Sequence, residues 1–276
     1  MVTGRLTGQT ALVGGAGRGI GRALAEALAA EGAAVALTAR SAHEVESVAS
    51  AIRERGGRAI AIAADVTRSA DVTAAVQRCE SAFGPITFLV SNAGVPGPFG
   101  PVGVVDVEEW WQAQCVHLRA PLLLTSAVLP EMQQHRRGRI LCINSIGGII
   151  VQRNTSAYCV GKAAQLRLVE HIDAENREIG IRAFALQPGI IVTPMAKETI
   201  GRADAQRWAP EMVAGLKALE ASALATADLD RCTAVCVGIA AGRYDALAGR
   251  YLDAKDDLES LLHASALQAE QSSGVG

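Results

Sequence analysis

The chain alternates between short apolar runs and longer amphipathic stretches. TALVG (10–14), AVALTA (34–39), RAIAIAA (58–64), ITFLVS (86–91), RILCIN (139–144) and IRAFAL (181–186) have strand length and are largely apolar. Between them, stretches such as RALAEALAAEG (22–32) and HEVESVASAIRERGG (43–57) are amphipathic and of helical length, the second ending on Gly56 and Gly57 as a helix stop. Strands this apolar must be covered on both faces, and strands alternating with helices predict parallel neighbours joined by right-handed crossovers. The expected fold is therefore α/β, one doubly wound domain with a mainly parallel sheet flanked by helices.

Composition narrows the functions open to such a domain. With 276 residues, half of them apolar, and 28 Gly, the chain has the size of one domain with a large core. The domain is expected to occupy residues 1–255, followed by a C-terminal helix and mobile tail over 256–276, where Leu258, Leu261 and Leu262 share a face. That helix packs on its own domain in the simpler reading; otherwise it covers a neighbouring subunit or the mouth of the site. The formal net charge is only −2 and the Lys and Arg residues are scattered, so no basic stripe suits nucleic acid. No window approaches the roughly 18 apolar residues of a membrane span, and MVTGRLTGQT has no apolar signal core; a cytoplasmic protein without a membrane partner is expected. The six cysteines lie inside apolar segments without a CxxC pair, which predicts buried thiols. Cys232 and Cys236 fall one helical turn apart, but two ligands do not make a zinc site, and no metal is expected.

Chemistry first shows itself where the first strand runs into GGAGRGIG (14–21) and then a helix. Glycines there permit a tight turn and let backbone N–H groups approach a pyrophosphate at the positive end of a helix dipole. Gly15, Gly19 and Gly21 follow a GxxxGxG spacing rather than GxGxxG. Downstream come SNAG (91–94), Ser145, YCVGK (158–162) and PGIIVT (188–193). Over residues 5 to 253 this set, in this order, resembles the short-chain dehydrogenase/reductase family, whose motifs are TGxxxGxG, NNAG, a Ser thirteen residues before YxxxK, and PGxxxT. The resemblance implies a Rossmann-type dinucleotide-binding and catalytic domain that interconverts a ketone or aldehyde with an alcohol by hydride transfer. It also implies a homotetramer or homodimer.

The catalytic chemistry can be argued from the residues themselves. Tyr158 and Lys162 are four apart on a helical segment and share a face. A phenol is a poor acid–base catalyst at neutral pH, and a nearby ammonium is expected to lower its pKa toward a useful range. Ser145 is placed to hydrogen-bond the substrate oxygen and help stabilise the charge that develops there. In isolation these are an ordinary helix-surface Tyr and Lys and a loop Ser; within the motif set they are catalytic. The resemblance gives Lys162 a second role on the nicotinamide ribose. It also makes Gly15, Arg18, Gly19, Ile20, Gly21, Asn92, Ala93, Gly94, Pro188, Gly189, Ile191 and Thr193 cofactor-binding, with Asp65 and Val66 at the adenine, although Asp65 also reads as a helix cap.

Cofactor choice is read after the second strand, in LTARSA (37–42). An acid there accepts from a ribose 2′-OH and repels a 2′-phosphate. This stretch has no acid and carries Arg40, with Arg18 on the neighbouring turn, which favours NADP(H); the plainer reading of Arg40 is a solvated loop charge.

Three positions depart from the family pattern. Gly14 replaces a Thr and Ser91 an Asn, while His117, 28 residues before Ser145 in CVHLRAP (115–121), replaces an Asn whose main-chain carbonyl serves a proton relay from the catalytic Lys. Read alone, His117 is a satisfied core histidine, a metal ligand or part of a site; no second ligand at helical spacing supports the metal. Read against the family, either only its carbonyl matters, or the imidazole joins the relay, or the relay is impaired.

The substrate pocket is expected outside the carboxyl ends of the strands, from loops carrying Ile146, Val151, Ile190, Met195, Trp208 and Met212. Their apolar character favours a hydrophobic or aryl ketone, with 194–215 as a lid. The alternatives are a biosynthetic ketoreductase acting on a ketide or steroid-like ketone and a non-catalytic dinucleotide sensor.

Overall fold

A computed structural model describes residues 4–221 and 227–273. Seven strands form one sheet in the order β3-β2-β1-β4-β5-β6-β7. They are β1 (Thr10–Gly14), β2 (Ala34–Ala39), β3 (Arg58–Ala63), β4 (Phe88–Ser91), β5 (Gly138–Ile143), β6 (Ile181–Gln187) and β7 (Tyr251–Asp253), and every neighbouring pair is parallel. The six expected runs are thus the first six strands. β7, three residues inside GRYLDAKDD, was too short to show as an apolar run.

The two-sided burial that makes those runs continuous is visible residue by residue. Ala11, Val13, Phe88, Val90, Leu141 and Ile143 enter one core cluster, which includes residues of α1 (Gly19–Ala30), α2 (Ala42–Glu54) and, later in the chain, α10 (Ala227–Ala240). Their alternates Leu12, Leu89, Ile140 and Cys142 enter a second cluster under α3 (Ser69–Phe83), α5 (Ala120–Gln134) and α6 (Ser156–Asn176). Successive strand side chains point to opposite faces, so a strand buried on both sides has no polar position to spare.

Chain order reverses direction across the sheet between β1 and β4, which opens a crevice at the carboxyl ends of these strands. Above it, α4 (Val107–Gln114) passes into α5 through a π-helical turn at Cys115–Arg119. After β6 the chain makes three short helices, α7 (Pro194–Gly201), α8 (Ala203–Trp208) and α9 (Pro210–Glu220), with a small core of their own around Phe99, Ala205 and Val213. The C-terminal helix, α11 (Leu258–Ser273), puts Leu258 into the main core with Leu262 against it, while Leu261 stays 37% exposed. Of the expected tail, residues 274–276 lie outside the described residues.

Candidate active site

The crevice is one continuous cleft of about 1650 Å³. At one end the turn after β1 is closed by contacts that only glycine allows. Gly15 has φ +73° and a Cβ there would stand 2.8 Å from the Ala93 backbone; at Gly21 it would stand 2.1 Å from the Gly15 carbonyl oxygen. Asn92 fastens the turn to the end of β4 by donating Nδ2–H to that same oxygen at 2.9 Å. Ser91, at the position of the family's first Asn, is a buried strand residue, and at Gly14 a Cβ would meet Leu124 at 3.1 Å. Helix α1 then starts with Arg18 as its N-cap and no side chain on its first N–H groups. This is a cradle shaped for an anionic group at a helix N-terminus, and the glycines fit the diphosphate of a dinucleotide.

Arg18 and Arg40 are exposed on the rim of that end, and Ile20, Asp65, Val66, Ala93 and Gly94 also line the cleft. Asp65 does not cap a helix. Its Oδ1 accepts from the N–H and hydroxyl of Thr67, at 2.9 and 2.7 Å, shaping the turn after β3, and its pKa is lowered, burial opposing the Thr67 bonds and the Arg40 charge. The acid missing from LTARSA reappears five residues beyond Ala39. Glu44 lines the cleft, its Oε2 3.1 Å from where a Gly17 Cβ would stand, because Ser41 caps α2 and turns its first residues toward the glycine-rich turn.

At the other end, α6 presents Tyr158 and Lys162 toward Ser145, which follows β5. Ser145 is held in extended backbone with its N–H donated to Asn144 Oδ1 at 2.8 Å, while Asn144 Nδ2 reaches back to the Lys162 carbonyl at 3.0 Å. Lys162 is buried to 3% exposure, and its ammonium donates to the Ile143 carbonyl at 2.6 Å and to Gln165 Oε1 at 3.4 Å. Burial lowers its pKa to about 8.

The phenol of Tyr158 departs from expectation. Burial raises its pKa, the Ser145 hydroxyl pulls it back and Cys159 adds to the rise, with no lowering by Lys162. The reason is geometric: the ammonium turns down to Ile143 and lies 5.9 Å from the Tyr158 ring centroid, so desolvation outweighs the charge.

His117 is fully buried in the π-helical turn. Its Nε2–H donates to the Val95 carbonyl at 2.8 Å and its ring meets Tyr158 edge to face, centroids 5.1 Å apart. Burial first and the Lys162 charge second push its pKa down to about 3. Among the described residues no group of three or more metal-ligating side chains occurs.

The loop after β6 lies on the remaining wall. Pro188, Gly189, Ile190, Ile191 and Thr193 line the cleft, and Thr193 caps α7 by accepting from the Ala196 N–H at 3.2 Å. The loop is held from behind by Asp228, which accepts from the Ile190 N–H at 2.9 Å and pairs with Lys255 at 2.9 Å and Arg231 at 3.0 Å.

Of the expected pocket residues, Ile146, Ile190, Met195 and Met212 line the cleft and two do not. Val151 is 94% exposed beyond the cleft. Trp208 packs on the Gly100 turn, and its carbonyl accepts from Asn154 Nδ2 at 2.6 Å, so it joins the loops rather than facing a ligand. The opposite error is larger. Gln114, Asn144, Gln165, Asp228 and Glu44 were not singled out, although Gln114 and Gln165 stand three residues from His117 and Lys162 on the same helical stretches. A polar residue one turn from a candidate site residue, inside an apolar run, was the available signal.

Known proteins match both sequence and geometry. The family model described as short chain dehydrogenase matches residues 9–203. A short chain dehydrogenase of Pseudocercospora fijiensis is 32% identical over 275 residues, 98% of this chain and 86% of that protein. The crystal structure of levodione reductase superposes with a TM-score of 0.80 at 26% identity, covering 90% of this chain and 96% of that one. A 7α-hydroxysteroid dehydrogenase complexed with NADH and 7-oxo glycochenodeoxycholic acid does so with a TM-score of 0.78 at 26% identity, over 90% and 93%.

Proposed function

The chain belongs to the short chain dehydrogenase family, and from that premise we propose that it is an NADP(H)-dependent oxidoreductase interconverting an apolar or aryl ketone and its alcohol, with Tyr158 as acid/base. Membership makes it an oxidoreductase using a nicotinamide nucleotide on alcohol or ketone substrates. The observation that carries the finer reading is one cleft with Ser145, Tyr158 and Lys162 at one end and the glycine cradle with Arg18 and Arg40 at the other.

The nucleotide, when bound, supplies or accepts the hydride. The chain's own residues supply the rest. A phenol whose pKa is raised by burial is protonated at neutral pH, which suits donation to a carbonyl oxygen. The Ser145 hydroxyl beside it gives that oxygen a second donor, so charge developing there meets two prearranged hydrogen bonds. Lys162 has three N–H bonds, and with two directed to Ile143 and Gln165 a third is left for a ribose hydroxyl. Ile146, Ile190, Met195 and Met212 favour an apolar substrate body, and residues 194–215, already three short helices, serve as the lid.

Arg18 and Arg40 support NADP(H), since guanidinium groups bind a 2′-phosphate in bidentate fashion. Glu44 supports the competing reading, NAD(H), because a carboxylate near Gly17 suits a ribose 2′-OH. Comparing NADPH and NADH affinities decides between them. Turnover is tested by NADPH oxidation with a panel of apolar ketones, wild type against Tyr158→Phe; equal rates contradict the mechanism, and nucleotide binding without turnover favours a sensor. Among the described residues no helix is long and apolar enough to cross a membrane, and a cytoplasmic enzyme is proposed. Exposed Val107, Trp111 and Leu122 on α4 and α5, with Val160 on α6, support assembly as a homotetramer or homodimer.

A further inference from the structure

His117 sits where three walls of the catalytic end meet. The π-helical turn swings its Cβ against α6 at the one place that admits it, since a Cβ on Gly161 would stand 2.6 Å from the His117 Cβ. From there the ring reaches the Tyr158 ring edge-on, at 84° between planes, and the Val95 carbonyl after β4. Donation by Nε2–H to a carbonyl fixes the neutral tautomer and leaves Nδ1 as an acceptor. Nδ1 is buried and has no hydrogen-bond partner among the described residues, so a proton there would be an unpaired interior charge. The titratable groups facing the ring are Tyr158 and Lys162, both on α6; the loop after β4 meets it with backbone at Gly94 and Val95.

The His117 carbonyl accepts from Gln165 Nε2 at 3.3 Å, and Gln165 Oε1 in turn faces Lys162 Nζ and Asn144 Nδ2. The Gln165 amide thus ties the backbone of the π-helical turn to Lys162, so the position of His117 is set from the main chain as well as from its ring.

We propose that His117 is a positioning residue that acts as a neutral brace, its ring setting the orientation of the Tyr158 phenol and its Nε2–H holding the Val95 wall, with no proton passing through the imidazole. The inference rests on Tyr158 being the acid/base of the proposed reaction. A relay through the imidazole would need the opposite properties: an accessible ring that titrates near neutrality and partners on both nitrogens.

Two measurements on the intact protein test this. Histidine-selective ¹⁵N labelling, with His117→Asn to assign the signal, is expected to show a neutral ring protonated on Nε2 from about pH 5 to about pH 9, with or without NADPH. A proton on Nδ1, or a titration midpoint between about 5.5 and 7.5, overturns the proposal. In kinetics with the ketone the wild type turns over best, His117→Phe keeps the ring contact and should lower kcat about 3-fold, whereas His117→Ala should lower it about 30-fold. KM for NADPH and the acid limb of the pH profile should not move in either variant. Loss of the acid limb in both variants, or a Phe variant as slow as the Ala variant with both folded by circular dichroism, contradicts the brace. If no ketone is turned over, the reaction fails while the ¹⁵N signal still decides the state of the ring.

Discussion

The two ends of the cleft use charge in opposite ways. At the nucleotide end Arg18, Arg40 and Glu44 carry their charges at or near solvent. At the catalytic end Lys162 and His117 are buried, and desolvation is the first cause of each displaced pKa. Exposed charges are screened and tune selection by small, salt-dependent amounts. Buried groups shift by units of pKa, and their arrangement decides whether chemistry occurs. Rim substitutions should therefore be graded, and those beneath Tyr158 severe.

The largest expected effect is at Tyr158. Replacing it with Phe removes the proton donor while keeping the ring against His117, so kcat should fall by about 10³-fold with NADPH binding retained. Steady-state rates together with nucleotide fluorescence titration check this.

Next come the two buried bases, through stability. Below about pH 8 Lys162 is charged in both folded and unfolded chains, and the folded state carries the cost of burying it. From there to the ordinary 10.5 the folded chain releases its proton first, so stability rises with pH. Denaturant melts should show wild type gaining on Lys162→Met across that window, by an amount on the order of 3 kcal/mol. His117 is neutral in both states above pH 6.5; as pH falls toward 3 only the unfolded chain takes up the proton, so stability is lost. At pH 5 His117→Asn should be spared about 2 kcal/mol of the wild type's acid destabilisation. If these two variants track wild type at every pH, the buried end is no different from the rim.

A packing test follows. Gly161→Ala brings a Cβ within 2.6 Å of His117 and 2.9 Å of Gln114 Oε1, and should destabilise by about 1–3 kcal/mol with a loss of kcat. The smallest effect belongs to the rim: Arg40→Ala should raise the NADPH Kd about 10-fold and Glu44→Gln should weaken NADH by about 3-fold, both shrinking as salt is added.

The same contrast explains what the sequence made legible. Strand runs such as AVALTA and RILCIN announce two-sided burial directly, and the glycine turn, Ser145, Tyr158 and Lys162 follow from fixed spacings. Residues that act through distant contacts leave no such trace. Glu44 enters the cleft because Ser41 turns α2, Asp228 holds Ile190 from 38 residues away, and Gln165 matters because it meets His117 across 48 residues. Val151 and Trp208 mislead because apolar loop residues read alike whether they face a ligand, solvent or another loop. The sign of the Tyr158 shift was also out of reach, since spacing gives the Tyr158–Lys162 face and not where the ammonium points.

The most direct test of the account is deuteride transfer from NADPH deuterated at the nicotinamide C4 to an apolar ketone, followed by mass spectrometry of the alcohol. The account predicts deuterium on the carbinol carbon with wild type and none above background with Tyr158→Phe at equal nucleotide occupancy. Equal incorporation by both proteins would contradict it.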